Sequence, residues 1–121
     1  MVHCTTMVEA GVNLSVLLAM IDPFDPFEVD KENGPHLAAD VDLSLDDALD
    51  VLTGDPEFYV DETDGSADWL MVGPIPGGQI IVVPMSESRY SGYSKVRPIT
   101  ILKAPMQIEQ RYLDDKGGNA Q

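Results

Sequence analysis

The stretch Gln79-Ile80-Ile81-Val82-Val83-Pro84 constrains this chain more than any other. A run of β-branched aliphatic residues without a polar break reads as a strand covered on both faces, since a half-exposed strand would alternate. The run is expected to be the central strand of an antiparallel sheet, flanked by strands around Trp69 and Ile99. Just upstream, "GPIPGG" turns the chain. It is a hairpin turn and not a phosphate loop, because no Lys-Ser/Thr pair and no helix follow.

The rest of the C-terminal half follows from this strand. "EFYVD" and "DWLMV" are rich in β formers and are separated by the polar segment "DETDGSAD". "KVRPITILKAP" is strand-like, and "APMQIEQRYLDD" reads as a helix with Pro105 near its start and Ile108 stacked on Tyr112. Upstream, "SLDDALDVL" is the clearest helix. Ser44 is a good N-cap, Asp46 and Asp47 occupy the first turn, and Leu45, Ala48, Leu49 and Leu52 recur at helical spacing before Gly54 ends it. A short strand at Phe27–Val29 and a short helix within Lys31–Ala39 complete the expected elements. The class is α+β: an antiparallel sheet of about four strands, with N-terminal helices and a C-terminal helix packed on one face.

The chain has 121 residues, which suits one domain. The domain is expected to span residues 24–115, with 1–23 as a helical extension and 116–121 as a frayed tail. "MVHCTTMVEAGVNLSVLLAM" lacks a basic leader and carries Glu9, so it is expected to be part of the mature protein. The longest apolar run, Val16–Ile21, is far short of the roughly 20 residues of a membrane span. A single cysteine, Cys4, forms no internal disulfide and suits a reducing compartment. The cytoplasm is the expected location.

Charge is unevenly spread. Residues 22–68 hold 16 acidic side chains and one basic, a net of −15; the remainder holds five acidic and six basic, a net of +1, giving −14 for the chain. The acidic half repels phosphates and suits a basic protein partner. Against this background "KVRPITILKAP" concentrates positive charge. Strand alternation puts Arg97, Ile99, Ile101 and Lys103 on one face, provided Pro98 introduces no bulge, with the two cations roughly 20 Å apart. Arg89, Lys95, Arg111 and Lys116 could extend such a patch.

Other motifs fail on spacing. Placing Gly65 of "DETDG" at the sixth position of a calcium loop puts Val60 and Met71 where carboxylates are required. His3, Cys4 and His36 lack metal-ligand spacing. The serines Ser86, Ser88, Ser91 and Ser94 have no histidine nearby to act as base. Neither a metal nor a cofactor is expected.

The order "FEVDKENGPHL", "LSLDDALDVLTGDPEFYVDE", "DWLMVGPIPGGQIIVVP", "VRPITILKA" and "QIEQRYLDD" resembles the BrnT-like toxins of bacterial toxin-antitoxin systems, small ribonucleases with a RelE-like fold. The resemblance covers residues 24–115. Ser44, Asp46, Asp47 and Ala48 match the family's second helix, and Asp55-Pro56 its "DP" step. Arg97 and Lys103 match the basic residues opening and closing the last strand, and Glu109 and Tyr112 match the closing helix. If the chain is a metal-independent endoribonuclease, the resemblance implies Arg97, Lys103, Glu109, Arg111 and Tyr112 as its catalytic set. Two family positions depart from the pattern: its His-Gly falls on Val41-Asp42, and an arginine after the hairpin glycine falls on Gln79. RNA cleavage needs cations on the phosphate and a group to move the 2′-hydroxyl proton. With those positions changed and the chain acidic, the expected function is a toxin-like module acting mainly by protein binding, its partner an antitoxin or a basic nucleic-acid-binding protein. An active ribonuclease toxin with RNA as substrate is the first alternative. An acidic phage or accessory protein that decoys a nucleic-acid-binding protein is the second.

Overall fold

The computed structural model describes residues 18–22, 24–37, 42–61, 67–89 and 94–117. The expected extension, the matching position Val41 and the calcium-like loop around Gly65 therefore lie wholly or largely outside the described residues. The described elements are α1 (Gly34–Leu37), α2 (Leu45–Thr53), β1 (Glu57–Val60), β2 (Trp69–Pro74), β3 (Ile80–Glu87), β4 (Val96–Pro98), β5 (Leu102–Lys103) and α3 (Met106–Gly117). Among them, no helix is long and apolar enough to cross a membrane.

The sheet has five antiparallel strands in the order β1-β2-β3-β4, with β5 also pairing with β3. β3 is central, as the apolar run requires. Its residues alternate between two cores. Ile81, Val83 and Met85 pack with Ala48 and Val51 of α2, while Ile80 and Val82 pack with Tyr112 of α3. The helices therefore lie on opposite faces, not on one as expected, and this double cover is what lets β3 dispense with polar positions. Ser44 starts α2, its N–H donating to the Asp47 carboxylate at 2.9 Å. Gly73 of β2 lets α2 come close: a Cβ there would sit 2.8 Å from Val51 Cγ1. The β2–β3 turn holds Gly77 and Gly78 at φ of 101° and 98°, a conformation that favours glycine, with Pro76 preceding them.

The strand-like stretch 95–105 is not one strand. β4 pairs with β3 in the register Met85↔Pro98, and β5 in the register Val82↔Leu102, so this edge carries one more residue than β3 across the same span. That is a β-bulge, located between Ile99, whose N–H reaches Pro84 O at 2.8 Å, and Leu102. Its physical origin lies across the ladder. In an antiparallel pair the N–H and C=O of one residue point to the same neighbour, so the donor that Pro84 lacks is missing on this edge.

The bulge overturns the expectation that Arg97 and Lys103 share a face. Arg97 is opposite Ser86 and Lys103 opposite Ile81, two β3 residues an odd number apart, so the two cations lie on opposite faces. The strand expected at Phe27–Val29 reduces to a single parallel bridge, Phe27 to Val96. The helix expected around residue 35 is one turn, and α3 continues past Asp115 through Lys116 and Gly117.

Candidate functional site

Arg97 is the centre of the most tightly organised polar cluster. Its residue is 4% exposed, so each of its donors must find an acceptor inside the protein. Asp30 takes it in a two-pronged grip, with Nη1 to Oδ2 at 2.8 Å and Nη2 to Oδ1 at 3.0 Å. Nη1 also reaches Glu28 Oε1 at 3.0 Å, and Nη2 approaches Glu32 Oε1 at 3.4 Å. Planar, two-pronged pairing is the strong form of an arginine–carboxylate contact. The Arg97 hydrogen bonds hold the Asp30 carboxyl well below the usual carboxylate range, and Asp30 in turn keeps Arg97 charged.

Local backbone geometry builds this cradle. Asp30 Oδ1 accepts the N–H groups of Glu32 and Asn33, closing a turn that "FEVDKEN" enters directly after its bridge to β4. Asn33 locks the turn to the sheet. Its Nδ2 donates to Glu28 O and to Pro98 O, both at 2.9 Å, while its Oδ1 accepts Asp30 N–H at 2.8 Å. Glu28, buried like Arg97, also accepts the Arg89 N–H at 2.8 Å and the Ser88 hydroxyl. No buried side-chain polar atom among the described residues is left without a partner.

An open cleft of about 240 Å³ lies beside this cluster, lined by Glu32, Asn33, His36, Ser86, Arg89 and Arg97. Two cations, Arg89 and Arg97, face three carboxylates, Glu28, Asp30 and Glu32, so the cluster is negative overall. A phosphate entering here would have to displace carboxylates from Arg97 while being repelled by them.

The other residues that the resemblance implies for a ribonuclease lie elsewhere. Lys103 is exposed on β5, on the α2 side, and has no carboxylate partner among the described residues. Arg111 stacks on the Tyr59 ring at 4.0 Å, and the Tyr59 hydroxyl donates to Asp115 at 2.6 Å. Tyr112 is buried, with its hydroxyl donating to Asp55 O at 2.7 Å. Burial, chiefly, pushes both phenols above their usual range, away from any role as a base at neutral pH. Lys116 closes this second cluster with ion pairs of 2.7 Å to Asp55 and to Glu57. Glu109 lies half-buried on α3. Arg111 and Tyr112 thus lie together at the β1–α3 contact, while Arg97 is held separately under the turn at residue 30 and Lys103 sits on the other face of the sheet.

Glu28, Asp30 and Asn33 carry no sequence motif of their own, and Ser88 entered the sequence reading only as a serine without a base. The polar positions Glu28, Asp30 and Glu32, alternating with Phe27 and Val29, were the available signal for carboxylates aimed one way. Among the described residues no group of three or more His, Cys, Asp or Glu side chains is disposed to hold a metal ion. No protein-family model, curated protein or solved structure matches this chain.

Proposed function

We propose that this chain is a toxin-like scaffold of the BrnT/RelE type that acts mainly by binding another protein, with ribonuclease activity weak or lost. The observation that carries this reading is the Arg97 cradle: the cation matching the family's strand arginine is buried and bonded to Glu28, Asp30 and Glu32. In a guanidinium so bonded both terminal nitrogens are already engaged by carboxylates and are not open to a scissile phosphate. Three further cations follow the same habit, with Arg89 on Glu32, Lys95 on Asp25 and Lys116 on Asp55 and Glu57.

The partner class follows from charge. A chain of net −14 suits a basic protein, either an antitoxin or a nucleic-acid-binding protein whose nucleic-acid surface it would occupy. Such binding weakens as salt rises, because exposed charges are screened beyond roughly 8–10 Å near physiological ionic strength. The test is cleavage of single-stranded RNA at low salt without added metal. Little or no turnover is expected. Robust turnover by the wild type that is lost in Lys103→Ala or Glu109→Gln would replace this reading with the active ribonuclease toxin.

A further inference from the structure

β1 is a terminal strand of the sheet, with β2 on one side and no described strand on the other. Which of its backbone groups face outward can be read from the ladder. Asp61 N–H donates to Asp68 O at 3.1 Å, so the odd-numbered residues of β1 bond toward β2, and Phe58 and Val60 point their N–H and C=O groups away from it. An edge of this kind is a template for one more strand.

Two further features lie along the same edge. On the α2 face, an apolar cleft of about 270 Å³ opens between Ile21, Leu52, Thr53, Pro56 and Phe58. Phe58 and Val60 direct their side chains to that face, since they pair with Met71 and Trp69 of the α2-side core. On the opposite face, Glu57 and Tyr59 lie beside Asp55, Asp115, Lys116 and Arg111, a group whose carboxylates outnumber its cations. The edge therefore presents a side that is apolar and a side that is acidic, in register with the two-residue alternation of a strand.

We propose that the outer edge of β1 accepts an extended segment of a basic partner protein as a sixth strand, with an apolar side chain in the Leu52–Phe58 cleft and Lys or Arg side chains over Glu57 and Asp55. The proposal rests on the protein-binding reading above and deepens it by naming the surface. Charge selects a basic partner over a second copy of this chain, because pairing β1 with itself would bring two sets of Asp55, Glu57 and Asp61 together. The main-chain bonds supply affinity, while the cleft and the acidic side supply the sequence preference.

The experiment is selection of random linear peptides displayed on phage against the purified full-length protein, followed by binding of the enriched synthetic peptides. Enriched sequences should alternate apolar and basic residues. Val60→Pro removes an outward N–H without breaking a bond to β2, and Thr53→Trp fills the cleft while leaving the edge intact. Each variant should keep the wild-type melting curve and weaken binding at least tenfold, and bound peptide should slow hydrogen exchange at Phe58 and Val60. Peptides that bind both variants as well as the wild type would overturn the site while leaving a protein-binding function in place. So would helical or acidic consensus peptides, self-association through β1 in place of peptide binding, or no enrichment at all. Failure of the parent reading would show separately, as RNA turnover.

Discussion

Replacing Arg97 by alanine tests whether its cradle holds the fold together. The substitution takes the guanidinium away from the Glu28 carboxylate, whose side chain is 6% exposed and which keeps the Arg89 N–H and the Ser88 hydroxyl among its donors. Removing one partner of a buried ion pair costs roughly 3–5 kcal/mol. Asp30 and Glu32 retain 26% and 61% side-chain exposure and can be rehydrated, which puts the expected loss at the low end, about 3 kcal/mol. For a chain of this size, at roughly 4 °C per kcal/mol, the melting midpoint should fall by about 12 °C. Urea unfolding followed by far-ultraviolet circular dichroism at neutral pH measures this as a lower midpoint at unchanged slope. A pH series adds a signature that a simple cavity would not give. Because the Asp30 pKa is depressed in the native state, its contribution is present above the ordinary carboxylate range, about pH 4, and is lost as pH falls below it. In Arg97→Ala that contribution is already absent, so the gap between variant and wild type should narrow on acidification. A loss under about 1 kcal/mol, or a gap unchanged between roughly pH 7 and pH 3, would mean that the Arg97 cradle does not hold the fold together.

Three other outcomes follow from packing and burial. Val82→Asp places a carboxylate at a position 2% exposed in the core under α3 and should cost at least about 3 kcal/mol in urea unfolding, or leave the protein unfolded. Gly73→Ala forces a Cβ to within 2.8 Å of Val51 Cγ1 and should cost about 1–3 kcal/mol, with part recovered in the double variant Gly73→Ala, Val51→Ala. Of the four tyrosines, Tyr59 and Tyr112 should form phenolate only above the ordinary tyrosine range in an ultraviolet titration. Their raised pKa values stabilise the fold below about pH 10, and that stability should fall as pH rises through this value.

The parts of the fold legible in the sequence are those whose cause is local. Unbroken aliphatic residues placed β3 at the centre, and Ser44 with Asp47 placed the start of α2. What was missed has causes distant in the chain. The bulge after Ile99 traces to Pro84 on the neighbouring strand; Pro98 marked a bulge as possible within "KVRPITILKAP", but the residue that parts Arg97 and Lys103 to opposite faces lies outside that stretch. The placement of α2 and α3 on opposite faces was implicit in β3, since a strand buried on both sides needs cover on both. The Arg97 cradle was the least legible feature. Its carboxylates lie 65 to 69 residues earlier, within an acidic segment that reads as ordinary surface charge until the turn at Asp30 folds them onto β4.

On the proposed reading Arg97 is a structural cation and not a phosphate ligand, and its guanidinium can be observed directly. In protein labelled at arginine, nuclear magnetic resonance should show Arg97 Nη signals resolved and slow to rotate, as a guanidinium fixed by Asp30 and Glu28 requires. Titration with a single-stranded RNA oligonucleotide at low salt should leave those signals in place. Averaged Nη signals that shift saturably with added RNA would instead show Arg97 free to hold phosphate.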